Sequence, residues 1–217
     1  NPNQFNSKKD FKNYPRNQRK DLSILRKLRV NYVYLPNKKD VYCFKRKSKI
    51  RLNKRDKILC AKFRKGHFEG VIDVMDRLIS LIRPKKVFMG EKDFQQLILV
   101  KKYIQKKYKS KIITCKTIRD KNKLAISTRN FLLTKKELDK ARKLAKDIIH
   151  FKKKLAKKQI TNSLLKYKKK ELVRKFNVDI QYFELRNQVN LKITNKIKNS
   201  KIFIAYFVNK VRLIDNF

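Results

Sequence analysis

Glycine is scarce in this chain: 3 residues in 217, beside 4 prolines, 2 methionines and no tryptophan. A chain that has shed glycine almost everywhere keeps it where the backbone needs positive φ or a ligand comes close. Gly66, Gly70 and Gly90 therefore direct attention to residues 62–96. Acid is also thin, with 17 Asp plus Glu against 62 Lys plus Arg. The 3 cysteines, Cys43, Cys60 and Cys115, show no C-x-x-C spacing. That disfavours a metal site and a disulfide framework, and makes reduced thiols in a cytoplasmic protein the expectation. No apolar run reaches the ~18 residues of a membrane span. The polar start, beginning at Asn1, is unlike a signal peptide and reads as that of a fragment.

What is present is positive charge, a net +45. Such an excess ordinarily points to nucleic acid, because neutralising phosphates releases counterions. Here lysine is spread from end to end, alongside abundant Asn, Ile, Phe and Tyr. That joint bias resembles drift in an AT-rich genome more than a basic binding arm. With 41% hydrophobic residues the chain still has enough apolar material for a buried core.

The periodicity changes along the chain. Asp21 to Arg29 reads as a short helix with Leu22, Leu25 and Leu28 on one face, and Val30 to Leu35 as a β-rich run stopped by Pro36. Residues 37–59 are basic and aperiodic, a loop. Val71, Val74, Met75, Leu78 and Ile82 then recur at helical spacing, Val87-Phe88-Met89 is a short strand, 94–107 a helix and Lys111 to Cys115 a strand. Helix, strand, helix, strand is the rhythm of an α/β domain with a parallel sheet. Past residue 118 the pattern differs. Thr134-Lys135-Lys136-Glu137 is a capping box opening a helix to about Leu155, and a second helix spans about Thr161 to Phe176. Val178 to Leu185, Ile202 to Val208 and Val211 to Ile214 are strands. We expect an α/β chain: 1–118 as one domain, and 119–217 as a smaller α+β domain of two helices and an antiparallel ribbon.

Two constellations carry chemistry. Gly90-Glu91-Lys92-Asp93 stands where a strand runs into a helix, the edge at which open α/β sheets bind ligands. A helix N-terminus there favours an anion, and Lys92 adds a full charge; a turn with Asp93 capping the helix is the plain alternative. Ile126-Ser127-Thr128-Arg129 sets two hydroxyls beside a guanidinium, a combination suited to phosphate. His67, between two glycines, reads as a structural residue at a helix start rather than a base, and His150 as incidental on a basic surface.

In combination these segments resemble a family. Asn1-Pro2-Asn3-Gln4-Phe5, Tyr14-Pro15-Arg16, Lys62-Phe63-Arg64-x-Gly66-His67-Phe68-x-Gly70-Val71, Gly90-Glu91-Lys92-Asp93-x-Gln95-Gln96, Leu124-Ala125-x-Ser127-x-Arg129-Asn130, Tyr182-Phe183-Glu184-Leu185-Arg186 and Arg212-Leu213-Ile214-Asp215-Asn216 occur in the order seen in pantothenate synthetases, the pantoate–β-alanine ligases. The resemblance covers essentially the whole chain. It implies a Rossmann-like parallel-sheet nucleotidyltransferase domain with a smaller carboxy-terminal lid, usually in a homodimer, condensing pantoate with β-alanine at the expense of ATP and with Mg²⁺. Pantoate carboxylate would attack the α-phosphate to give pantoyl adenylate, and the amine of β-alanine would displace AMP. Carried over by position, Gln4 and Gln96 would bind pantoate with Asn1 nearby. Gly90, Glu91, Lys92 and Asp93 would contact ATP. The backbone at Ile118 would face adenine, and Ile126, Ser127, Thr128 and Arg129 would hold phosphate. Lys92, Ser127 and Arg129 would be catalytic. Asn122 and Lys123 stand where the family has Asp then Gly, which leaves that loop's conformation open.

The family also opens with a strand and a His-x-Gly-His-type loop, and neither His67 nor His150 matches that motif. By this analogy roughly 60–70 residues, including a central strand of the sheet, are missing ahead of Asn1. The expectation is that the intact product is an active ligase and that these 217 residues alone are inactive and poorly stable. A basic nucleic-acid-binding protein and a degenerate enzyme remnant are the alternatives.

Overall fold

The computed structural model describes residues 11–12, 14–43, 50–105, 107–155 and 160–217. In chain order these form α1 (Gln18–Lys27), α2 (Lys38–Val41), α3 (Leu59–Phe63), α4 (His67–Ile82), β1 (Lys86–Gly90), α5 (Phe94–Val100), β2 (Lys111–Cys115), α6 (Lys135–Leu155), α7 (Asn162–Phe176), β3 (Asp179–Asn187), β4 (Ser200–Val208) and β5 (Val211–Asn216).

α4 starts at His67 because Gly66 takes φ 76°, a left-handed turn that costs glycine nothing, and the Gly66 carbonyl accepts the Gly70 N–H at 3.0 Å. One stripe of the helix, Phe68, Val71, Ile72 and Ile79, is buried. Arg83, itself left-handed, and Pro84 end it. β1 and β2 pair in parallel from Lys86 opposite Lys111 to Gly90 opposite Cys115, so their carboxyl ends lie level. Two connected parallel strands need a crossover, and α5 provides it. The long helix α6 opens on the expected capping box: the Thr134 N–H donates to Glu137 Oε2 at 2.7 Å, and the Glu137 N–H donates to Thr134 Oγ1 at 3.3 Å.

Two hydrophobic cores share one sheet. β3, β4 and β5 form an antiparallel sheet in that order. On β4, Ile202, Ile204, Tyr206 and Val208 pack with Leu144, Ile148 and Leu172 from α6 and α7. The alternate residues Phe203 and Ala205 pack instead with Phe68, Ile72, Leu97 and Ile112 of the parallel-sheet half. Period-two alternation thus buries both faces of β4 and ties the two halves together.

The sequence expectation fails in four places, one of them the loop expected over 37–59, where α2 and a 3-10 turn at Lys54–Asp56 form. Val30 to Leu35 forms no strand: Tyr32 is 93% exposed and, among the described residues, no strand pairs with the segment, so its β propensity finds no ladder to join. α1 begins earlier than expected because Asn17 caps it, its Oδ1 accepting the Lys20 N–H at 3.2 Å, and the helix buries no residue. The helix expected over 94–107 is α-helical only to Val100 and continues as a π-turn over Lys101–Gln105.

The loop left open by Asn122 and Lys123 has a defined form. Asp120 Oδ1 accepts the N–H groups of Asn122 at 2.9 Å and Leu124 at 3.0 Å. Asp120 Oδ2 takes the Arg142 Nε–H at 2.7 Å. Burial raises the Asp120 pKa, but these bonds outweigh it and leave the carboxyl below its ordinary range. Lys123 pays for this with φ 73°, the conformation a glycine would adopt freely. Lys123→Gly is therefore expected to stabilise the protein by about 1 kcal/mol, read as a higher urea midpoint at unchanged m-value.

Candidate functional site

The turn that follows the carboxyl end of β1 forms part of the wall of a cavity of about 370 Å³. Lys92, Asp93, Gln95 and Gln96 reach its wall from the strand-to-helix turn, and Arg129 from the loop before α6. Arg16, Arg64 and His67 line it as well, so cations outnumber the carboxylates, Asp93 and Asp215. A concave site with this charge balance suits a polyanion.

Each part is held from behind. The turn Glu91–Asp93 is anchored by Asn216, whose Nδ2 donates to Glu91 O at 2.9 Å and Lys92 O at 3.0 Å. Lys201 fixes the Glu91 side chain by an ion pair of 3.0 Å. Asp93 begins α5 without a side-chain capping bond, and its Oδ1 lies 3.5 Å from Lys92 Nζ. Its carboxylate is thus turned to Lys92 rather than spent on the helix. Arg129 stands in the 3-10 turn Thr128–Leu132, where its N–H donates to Ser127 Oγ at 3.3 Å, while Asn130 Nδ2 donates to Ala125 O at 3.1 Å and closes the loop. Thr128 turns elsewhere, donating to Tyr14 OH at 2.8 Å; the Arg129 guanidinium lies 5.8 Å from the same tyrosine ring.

Several wall residues were not foreseen from the sequence. Arg64 Nη1 lies 2.9 Å from His67 Nε2. A guanidinium only donates, so Nε2 accepts and the imidazole proton resides on Nδ1. His67, expected to be structural, is a cavity residue that orients Arg64. Cys60, expected as a buried or incidental thiol, is buried in the same wall, with Sγ 3.1 Å from Tyr182 OH and accepting from Arg212 Nη2 at 3.3 Å. Burial pushes the Tyr182 phenol well above its ordinary pKa, so it stays neutral. Cys43 and Cys115 are exposed.

The foreseen residues divide into groups. Lys92, Asp93, Gln96 and Arg129 share the cavity, and Ser127 lines a small adjoining recess with Lys92 and Arg129. Ile118 and Ile126 form an exposed pair beside it: the Ile126 N–H donates to Ile118 O at 3.0 Å, and the side chains are 69% and 57% exposed. Glu91 faces away, toward Lys201. Asn1 and Gln4 lie outside the described residues. Among the described residues no group of three or more His, Cys, Asp or Glu could hold a metal ion, and no helix is long and apolar enough to cross a membrane.

Gly90 is not held by its backbone conformation. Its φ is −68°, and a Cβ added there would meet nothing within 4 Å. Neither backbone strain nor internal crowding requires glycine there. Gly90→Ala is expected to keep or raise stability by about 0.5 kcal/mol, through a less flexible unfolded chain, while weakening nucleotide binding. Thermal melts with and without ATP separate the two effects.

Helices flanking a parallel sheet, with a cationic cavity at the carboxyl edge of its strands, define an α/β protein of the nucleotide-binding type. The comparisons with known proteins narrow this. The family model described as pantoate-beta-alanine ligase matches residues 1–217, and the chain belongs to that family. It is 36% identical over 222 residues to a pantothenate synthetase of Flavobacterium psychrophilum, covering 100% of this chain and 78% of that one. In three dimensions it resembles the pantothenate synthetase of Thermus thermophilus with a TM-score of 0.91 at 24% identity, over 100% of this chain and 80% of that one. It also resembles the pantoate-beta-alanine ligase of Francisella tularensis, solved as a complex with beta-gamma ATP and beta-alanine, with a TM-score of 0.80 at 32% identity, over 100% and 76% of the two chains.

Proposed function

We propose that the chain supplies the ATP- and pantoate-binding machinery of a ligase that joins pantoate to β-alanine through pantoyl adenylate. The observation that carries this is the convergence of Lys92, Gln96 and Arg129, from two sequence segments, on one cavity. In the first step a pantoate carboxylate oxygen bonds to the α-phosphorus of ATP, and the bond from that phosphorus to the bridging oxygen breaks, releasing pyrophosphate. In the second the β-alanine nitrogen bonds to the acyl carbon, loses a proton, and AMP leaves with the electrons of the acyl–oxygen bond.

Neither step needs a covalent enzyme intermediate, so the protein contributes position and charge. Lys92 and Arg129 oppose the negative charge that gathers on the phosphates. Ser127, whose oxygen already accepts from Arg129, keeps its hydroxyl proton to donate. Gln96, with both donor and acceptor, suits the carboxylate and hydroxyls of pantoate; Gln4 and Asn1 would complete that pocket. The exposed pair Ile118 and Ile126 offers an apolar shelf for adenine beside backbone polar groups. Residues 119–217 act as the lid that brings Arg129 to the phosphates. Mg²⁺ fits this site as a companion of the triphosphate, since the ion is commonly held by one or two carboxylates together with phosphate oxygens, and Asp93 is the carboxylate on the wall nearest Lys92. Its part would be to neutralise phosphate charge. A homodimer rests on the family resemblance, and a cytoplasmic location on the cysteine pattern of the sequence.

The test uses the full gene product with ATP and pantoate but no β-alanine. Pyrophosphate should appear in an amount matching the enzyme, and AMP and pantothenate should follow only when β-alanine is added. Pyrophosphate release that ignores pantoate would overturn the assignment.

A further inference from the structure

Beside the segment after β2 lies a second cavity, of about 630 Å³, between α6, the start of β4 and the end of the chain. Lys116, Thr117 and Arg119 line it, whereas Ile118 is exposed and does not, so the cavity is separate from the Ile118 shelf. Its floor is apolar, made by Ile149, Ile197 and Phe217.

The cations around it are not equivalent. Arg119 is bound to Asp215, and Lys201 to Glu91. Lys152 is only partly exposed and, among the described residues, has no carboxylate partner. Burial, and after it the charge of Lys201, push its ammonium below the ordinary lysine pKa, with only Glu91 opposing. Lys116 and Lys153 stand at the rim. Glu91 also lines the cavity, but its carboxylate is paired with Lys201; a half-desolvated ammonium without a carboxylate bonded to it is costly, and an anion seated beside Lys152 would offset that cost.

We propose that this cavity binds a small organic anion with an aliphatic body, its charge on Lys152 and its chain on Ile149, Ile197 and Phe217. This is a site separate from the cavity that holds Lys92 and Arg129. Pure charge attraction would favour inorganic phosphate, whereas the apolar floor favours a carboxylate with a hydrocarbon tail.

Calorimetric titration of the full gene product with octanoate tests this, with inorganic phosphate as the probe lacking a tail. Octanoate is expected to bind with a Kd below about 1 mM and phosphate at least ~10-fold more weakly. Lys152→Met keeps the aliphatic stem and should weaken octanoate about 10-fold or more. Lys154→Met makes the same charge change at an exposed residue of the same helix that does not line the cavity, and should leave binding unchanged. Absent octanoate binding, phosphate binding as tightly as octanoate, or an equal effect of the two lysine substitutions would each overturn the proposal.

Discussion

Arg129→Ala is expected to lower the rate of pantothenate formation in the full gene product by about 10²–10³, and Lys92→Ala by a similar factor, the size seen when one preorganised donor to developing charge is removed. The two side chains reach the same cavity from opposite halves of the chain, Lys92 from the turn after β1 and Arg129 from the turn before α6. Their charges act where water is partly excluded, so each is worth more than it would be on a surface. Arg129→Lys separates charge from geometry. A lysine retains the positive charge but not the planar fork that can take two phosphate oxygens at once, so it should recover only part of the lost rate. Single-turnover measurement of pyrophosphate release assigns the loss to the adenylation step. A variant that keeps more than about a tenth of the activity would remove that residue from the catalytic group.

Arg119→Met is expected to destabilise the fold by about 3–5 kcal/mol, the cost of leaving a buried charge without its partner. Arg119 donates to both oxygens of Asp215, at 2.7 and 2.9 Å, to Asn216 O at 2.9 Å and to Lys123 O at 3.0 Å, and its guanidinium lies 4.7 Å from the Phe217 ring. One side chain thus joins the segment after β2, the loop before α6 and the final strand. Asp215 has a side chain only 4% exposed. Its burial raises the carboxyl pKa above the ordinary range, against the pull of Arg119. A raised folded pKa means that Asp215's favourable linkage is fully present below its unfolded pKa and is lost as the pH rises through the folded value. Removing Arg119 raises that pKa further, so the variant's deficit should be larger at pH 7 than at pH 4. Urea unfolding at the two pH values measures this. The double variant Arg119→Met, Asp215→Leu should regain much of the loss, because it removes the charge as well as its partner.

The fold was legible wherever a local rule and the packing agree. Helical spacing from Val71 to Ile82 marked α4, and the capping box at Thr134 marked the start of α6. Lys111–Cys115 forms a strand with the bounds its sequence suggests. Val30 to Leu35 shows the converse, since a β-rich run becomes a strand only when another strand accepts its hydrogen bonds. The order of short motifs singled out Lys92, Gln96 and Arg129, which line one cavity, and Ser127, which lines the adjoining recess. It did not reveal that His67 accepts from Arg64 in the same wall, nor that Cys60 and Arg212, 152 positions apart, touch beside Tyr182.

By itself the sequence determined the family, the α/β class, the elements whose periodicity is local, and the chemical types available for phosphate. Tertiary structure alone decided which charges are already committed. Asn216 anchors the Glu91–Asp93 turn, Arg119 neutralises Asp215, and Lys152 has no bonded carboxylate among the described residues. The physical reason is that a charge's worth depends on burial and on neighbours brought from distant segments, whereas helical and strand periodicity depends on residues a few positions away.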